Sequence, residues 1–467
     1  MLCVRVLFVF FLVQTPVALA TDLELRLDQI RREHHIAGLF LILADRGTQH
    51  ITTLGVTSHA TNIPLTQDHY IRLGSVSKLF IGLAALRLEQ SGQLDLHEPL
   101  TNKTRNLPLQ NAWRADHPVT FAQLMEHSAG LPDMSKPEWA MKKPLSLEKA
   151  FAVDPESRRL KWPAGLHSSY SNSGAGIAAY VIEQITEKKF EDVIQKEVFD
   201  YLGLDTATYF YDQDVERSLI TGYDTDGTTE IPYWHTLYRA FGGINIRARQ
   251  MSRVLALFLN DGQLNQKLLF TSKQINRMST PTTTISARAG LSYGYGLGLY
   301  QYHRKGIAMI GHGGDADGYL TFLGFSPVLG KGYFVVINAF NYRAMRILRN
   351  AIEDDLIGVA TPLPAPAVYE MTATEINSIV GEYNEVTYRF RRNSPLSVFD
   401  VEGKLYTRQG ARETRLIPVT SRFFRRLGQP RATISISEEN GRTYFQSDAG
   451  NFVQLIRPAD TAATDDL

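Results

Sequence analysis

The sequence holds one cysteine, Cys3, in 467 residues. No disulfide can form within the chain, so its stability has to come from a buried core. Chains of this length bury about three-quarters of the surface their unfolded state exposes, so a core suffices. Net charge is small, +1, with 49 lysines and arginines against 48 aspartates and glutamates. No overall field is there to recruit nucleic acid or an anionic membrane, and the expected partner is a small-molecule or peptide substrate. Long apolar runs are absent too: the best, residues 6–13, is too short for a permanent membrane span. None of the 12 histidines stands in a His-Glu-x-x-His or comparable spacing, so neither a metal nor another cofactor is expected. There is no internal repeat and no low-complexity tract.

What the N-terminus does have is the layout of a secretory signal. Residues 1–5 carry one basic side chain, the apolar run follows, and Ala18-Leu19-Ala20 puts small residues where a signal peptidase reads. Residues 1–20 are expected to be removed, with the mature chain starting near Thr21; an uncleaved membrane anchor is the alternative. Cys3 precedes the apolar run, which argues against a lipoprotein anchor. Export without disulfides fits a bacterial periplasm or exterior.

The remaining chain alternates helical and strand patterns. Leu23, Leu27 and Ile30 predict a helix over 22–35, and β-rich runs at 39–44 and 49–55 around Asp45-Arg46-Gly47 predict a hairpin. A buried helix is expected over 75–91, stopped by Gly92. Thr120 and Gln123 form a capping box for a short helix. Further helices are expected at 174–187, 247–259 and 342–359, with strands at 319–326 and 332–338. Strands at both ends of a segment with helices between them imply an antiparallel sheet covered by helices, an α+β unit over 21–360. Thr361-Pro362-Leu363-Pro364-Ala365-Pro366 opens a linker, 361–369. Short β-type runs then suggest a small all-β domain at 370–458, and the polar residues 459–467 a disordered tail.

Ser75-Val76-Ser77-Lys78 puts a serine and a lysine one helical turn apart, where side chains meet. Serine needs a base at neutral pH, and a lysine of lowered pKa can be that base. The motif is weak alone, as Ser146-Leu147-Glu148-Lys149 shows; that copy reads as a helix cap with a surface lysine. Tyr170 and Asn172 offer a phenol for proton shuttling and an amide for a substrate carbonyl, or else a polar loop with Asn172 capping a helix. His312-Gly313-Gly314 reads either as a histidine and close-approaching backbone facing a ligand, or as a glycine-rich turn with a solvated histidine.

Taken in order, Ser75-x-x-Lys78, Tyr170-x-Asn172 and His312-x-Gly314 resemble the three motifs of the β-lactamase-related serine hydrolases. That group contains class C β-lactamases, D-alanyl-D-alanine carboxypeptidases, D-amino-acid amidases and esterases. The resemblance covers roughly residues 24–358 and includes Leu94-Asp95-Leu96, the stretch from Leu124 to Pro132, and Phe241-Gly242-Gly243. It implies an α/β (α+β) sandwich of an antiparallel sheet flanked by helices, of β-lactamase/transpeptidase type, with a helical subdomain and the active site between. The appended domain resembles the lipocalin-like or barrel-like domains of some relatives. The implied roles are Ser75 as nucleophile, Lys78 and Tyr170 in proton transfer, Asn172, His312, Gly313 and Gly314 in substrate binding, and the N–H groups of Ser75 and Asp315 as oxyanion hole. One departure stands out: histidine occupies the place of the lysine that binds a substrate carboxylate in many relatives, and a neutral imidazole holds anions less well. A penicillin-binding sensor that acylates without turnover and a catalytically silent scaffold are the alternatives to an active hydrolase.

Overall fold

The run Gly38-Leu39-Phe40-Leu41-Ile42-Leu43 is apolar almost throughout, the pattern of a strand that must be covered on both faces. The computed structural model describes residues 21–386, 395–439, 441–447 and 451–455, and in it this run is strand β1 (Gly38–Asp45). Leu39 and Leu41 enter one core with Leu23, Leu27 and Ile30 of helix α1 (Asp22–Glu33). Phe40 and Ile42 point the other way into a larger core. Strand β2 (Gln49–Gly55) completes the expected hairpin, whose turn is held by Asp45 Oδ1 accepting from Gly47 N at 2.8 Å and Thr48 N at 2.6 Å.

Helices α2 (Lys78–Gln90), α3 (Asn172–Thr186) and α4 (Met251–Leu259) come from the middle of the chain. A meander of β3 (Tyr300–Arg304), β4 (Ile307–Ala316), β5 (Tyr319–Ser326) and β6 (Lys331–Ile337) then returns to the first hairpin. Leu39 pairs with Ile337, giving a six-stranded antiparallel sheet in the order β3-β4-β5-β6-β1-β2. Helix α5 (Tyr342–Ile357) joins α1 on one face through Met345, Leu348 and Ile352. Helix α4 covers the other through Val254, Leu255 and Phe258, the last stacked on Phe325 at 5.2 Å.

The C-terminal part begins with a short helix, α6 (Ala373–Ile379), capped by Thr372 and Glu375. The capping box there starts this short helix ahead of the first strand of the expected all-β domain. The strands that follow among the described residues are β7 (Gly381–Glu385), β8 (Leu396–Val401), β9 (Lys404–Gln409), β10 (Arg412–Arg415), β11 (Ile417–Pro418), β12 (Phe423–Arg425), β13 (Ile434–Glu439), β14 (Arg442–Ser447) and β15 (Asn451–Leu455). They form one sheet in the order β10-β9-β8-β7-β15-β14-β13-β12-β11. Its two edge strands are separated only by Leu416, so the ends of the sheet meet and it rolls into a barrel-like shape. Tyr383, Val398, Leu405, Phe424, Ile436 and Phe445 fill it as a separate core. The expected signal segment 1–20 and tail 459–467 lie outside the described residues.

Candidate active site

Gly74 adopts φ +54°, a conformation open to glycine. A β-carbon there would stand 2.6 Å from Asp315 N and 2.8 Å from Asp315 O, so only glycine lets this turn press against β4. The turn, Gly74–Ser77, is a 3-10 helix, and the α-helix starts at Lys78. The helix expected from residue 75 therefore begins three residues later, because tight packing on the sheet draws Ser75 into the narrower turn. Ser75 is half-buried and Lys78 fully buried. Lys78 Nζ donates to Ser75 Oγ at 3.1 Å, Asn172 Oδ1 at 2.7 Å and the Phe241 carbonyl at 3.1 Å. Burial pulls the Lys78 pKa down to about 7, against the opposing charges of Asp133 and Asp315. Three acceptors match the three protons of an ammonium. After losing one, the amine keeps protons for Asn172 and Phe241 and can turn its lone pair to the Ser75 hydroxyl.

Asn172 is the first residue of α3, whose N-cap is Ser171. It is not a cap: its Nδ2 and its backbone N–H donate to Asp133 Oδ1 at 3.1 and 2.9 Å, which aims Oδ1 at Lys78. The Tyr170 ring lies 4.8 Å from Lys78 Nζ. The same ring packs against His127, 4.3 Å away between ring centres, whose Nδ1 accepts from Ser171 N at 3.2 Å. Neither Asp133 nor His127 announces itself in the sequence beyond lying within or next to the Leu124–Pro132 stretch.

His312, Gly313 and Gly314 lie within strand β4 and His312 is buried, so the reading as a glycine-rich turn with a solvated histidine does not hold. The apolar run Ile307-Ala308-Met309-Ile310, buried at alternate positions, carries the strand into the glycines. Gly314 is required by packing, since a β-carbon would meet Leu73 O at 2.0 Å. Gly313 has ordinary van der Waals room, with Phe322 at 3.5 Å. The His312 ring is buried among Tyr170, Tyr295 and Tyr300, at 6.3, 5.8 and 5.6 Å. Its pKa falls to about 3, first by burial and then by the Lys78 charge. Nδ1 contacts the Gly313 carbonyl at 2.5 Å, which assigns the proton to Nδ1 and leaves Nε2 as an acceptor. Among the described residues Nε2 has no hydrogen-bond partner. Asp315 Oδ2 accepts from the Tyr342 hydroxyl at 2.6 Å.

Ser146 is exposed and caps a short helix by accepting from Lys149 N at 3.4 Å, the role of an ordinary cap. Among the described residues no group of three or more His, Cys, Asp or Glu side chains could hold a metal ion, and no helix is long and apolar enough to cross a membrane.

The beta-lactamase family model matches residues 23–356. Penicillin-binding protein 4 of Amycolatopsis lactamdurans is 22% identical over 315 residues, 65% of this chain and 81% of that protein. The D-alanyl-D-alanine-carboxypeptidase/endopeptidase AmpH of Escherichia coli (strain K12) is 22% identical over 353 residues, 71% and 87% of the two chains. Among solved structures, the octameric penicillin-binding protein homologue from Pyrococcus abyssi superposes with a TM-score of 0.61 at 21% identity, over 92% of this chain and 99% of that one. The beta-lactamase/D-alanine carboxypeptidase from Yersinia pestis complexed with citrate gives 0.58 at 20% identity, over 71% and 99%. At these identities the structural likeness shows the fold.

Proposed function

The chain belongs to the beta-lactamase family, and from that premise we propose that it is an exported serine hydrolase that opens amide or ester carbonyls through an acyl-enzyme on Ser75. The observation that carries this reading is the buried Lys78 amine 3.1 Å from Ser75 Oγ, with its pKa brought to about 7. Ser75 Oγ attacks the carbonyl carbon while its proton passes to Lys78. The carbonyl oxygen gathers charge beside the N–H groups of Ser75 and Asp315. As the bond to the leaving nitrogen or oxygen breaks, Lys78 returns the proton to it, with Tyr170 as shuttle. Water then attacks the acyl carbon and releases the acid and Ser75. Asn172 orients Lys78 and the substrate carbonyl together.

His312 narrows the substrate class. A neutral imidazole presenting Nε2 as an acceptor suits a substrate N–H or O–H and is a poor anchor for a carboxylate. This favours esters and amides over ligands held mainly by a carboxylate, among the three classes of β-lactam, D-amino-acid peptide and ester. Labelling with a fluorophosphonate, then assays on p-nitrophenyl esters, nitrocefin and D-Ala-D-Ala peptides, tests the reading. Ser75→Ala should abolish label and turnover, and Ser146→Ala should change neither; label retained in Ser75→Ala would sink the assignment. Label without turnover on any substrate would instead select the sensor.

A further inference from the structure

The strand pair β13 and β14 has two buried faces. Ile434, Ile436 and Phe445 fill the C-terminal core. Ser435, Ser437, Tyr444 and Gln446 occupy the opposite face, as the pairs Ser435 with Gln446 and Ser437 with Tyr444. They too are buried, and what covers them is the hydrolase unit. Tyr444 packs with Leu166 and Ile285, and its ring lies 5.1 Å from that of His167. Ser435 Oγ is 2.5 Å from Ser286 Oγ. Gln446 Nε2 lies 3.9 Å from where a β-carbon would stand on Gly294.

These contacts fall on the two shoulders of the active site. His167 stands three residues before Tyr170, and Gly294 one residue before Tyr295. The inner side of residues 165–170 is already held by the His127 loop, through Gly165 N to Ser128 O at 2.8 Å and Ser169 N to His127 O at 2.7 Å. Tyr444 meets the outer side. On the second shoulder the Tyr295 ring packs against His127 at 4.8 Å and His312 at 5.8 Å.

We propose that Tyr444 and Gln446 of the C-terminal sheet are positioning residues for the hydrolase site, holding the Tyr170 and Tyr295 segments closed over Lys78, so that docking of the sheet sets the reactivity of Ser75. The proposal rests on the reading of Ser75 and Lys78 given above. Without the clamp the Tyr170 segment loosens and water reaches Lys78, whose low pKa depends on burial. The amine then stays charged to higher pH.

The test is the pH dependence of fluorophosphonate labelling and ester turnover in the full chain, for wild type, Tyr444→Ala, Tyr444→Phe, Gln446→Ala and Phe399→Ala. Phe399 stacks on Tyr406 within the same sheet at 5.8 Å and serves to separate positioning from loss of stability. Tyr444→Ala should label about tenfold more slowly at pH 7, with its midpoint moved to higher pH and the loss in kcat more than in KM. Tyr444→Phe keeps the ring and should stay within about twofold of wild type, as should Phe399→Ala. Gln446→Ala should shift the midpoint in the same direction by less, and it decides the matter if Tyr444→Ala does not fold. A wild-type rate and midpoint in folded Tyr444→Ala, or the same loss in Phe399→Ala, would overturn the proposal. Full labelling of Ser75→Ala, run beside this series, would instead overturn the nucleophile assignment.

Discussion

Lys78 carries opposite consequences for catalysis and for stability. In the proposed role of proton acceptor it must be neutral, so acylation should rise with pH through about 7 and level off above, read from labelling rates between pH 5 and 9. Lys78→Arg should lose acylation over that whole range, since a guanidinium does not give up its proton. For stability the sign is the reverse. Folding lowers this pKa from 10.5, so the buried amine costs nothing above pH 10.5. It destabilises increasingly as pH falls toward 7, and the penalty is constant below that. Lys78→Met should therefore abolish activity while raising the melting temperature at pH 7, by relief worth up to a few kcal/mol; a lower melting temperature would contradict this account. His312 behaves differently. With a pKa near 3 it adds no inflection above pH 5, and His312→Ala should lower kcat/KM uniformly across that range. EDTA should leave the activity unchanged, and loss restored by zinc would refute the role given to His312.

At the scale of elements, the site depends on how tightly the Gly74–Ser77 turn meets β4. Gly74→Ala would drive a methyl group into the backbone of Asp315. The expected result is a folded protein whose acylation falls by about 10²-fold or more, the usual effect of losing one oxyanion donor. The Phe241 carbonyl that receives Lys78 is fixed from a distance. Arg158, buried, pairs with Glu138 at 2.8 Å and donates to the Tyr238 hydroxyl at 2.6 Å, and Tyr238 opens the turn Arg239–Phe241. Arg158→Leu strands the buried Glu138 and should cost about 3–5 kcal/mol in chemical denaturation. The double change with Glu138→Gln should recover part of that loss.

At the scale of the whole molecule, separate cores suggest separate melting. The C-terminal sheet has its own interior, and among the described residues a small buried apolar cluster of Leu166, Ile285 and Tyr444 joins it to the hydrolase unit. Interfaces between domains of one chain resemble transient ones. Phe424→Ala, at a fully buried position, should cost about 3–5 kcal/mol. It should lower a first calorimetric transition while leaving a second in place. If the sheet positions the site, ester turnover should fall across that first transition.

Much was legible in the sequence because it was local. The apolar run at Leu39, the helical spacing of Leu23, Leu27 and Ile30, the capping box at Thr120 and the Asp45 turn each depend on residues a few positions apart. Other features depend on residues hundreds of positions apart, and no local pattern encodes them. The start of the α-helix at Lys78 follows from Gly74 meeting Asp315, and the strand through His312 from the pairing of β4 with β5. Asp133 behind Asn172, His127 behind Tyr170 and Tyr444 against His167 are likewise products of packing. The chemistry of a serine and a lysine one turn apart is a property of the sequence. The burial that brings Lys78 to a useful pKa belongs to the tertiary structure, because only the assembled core removes the water.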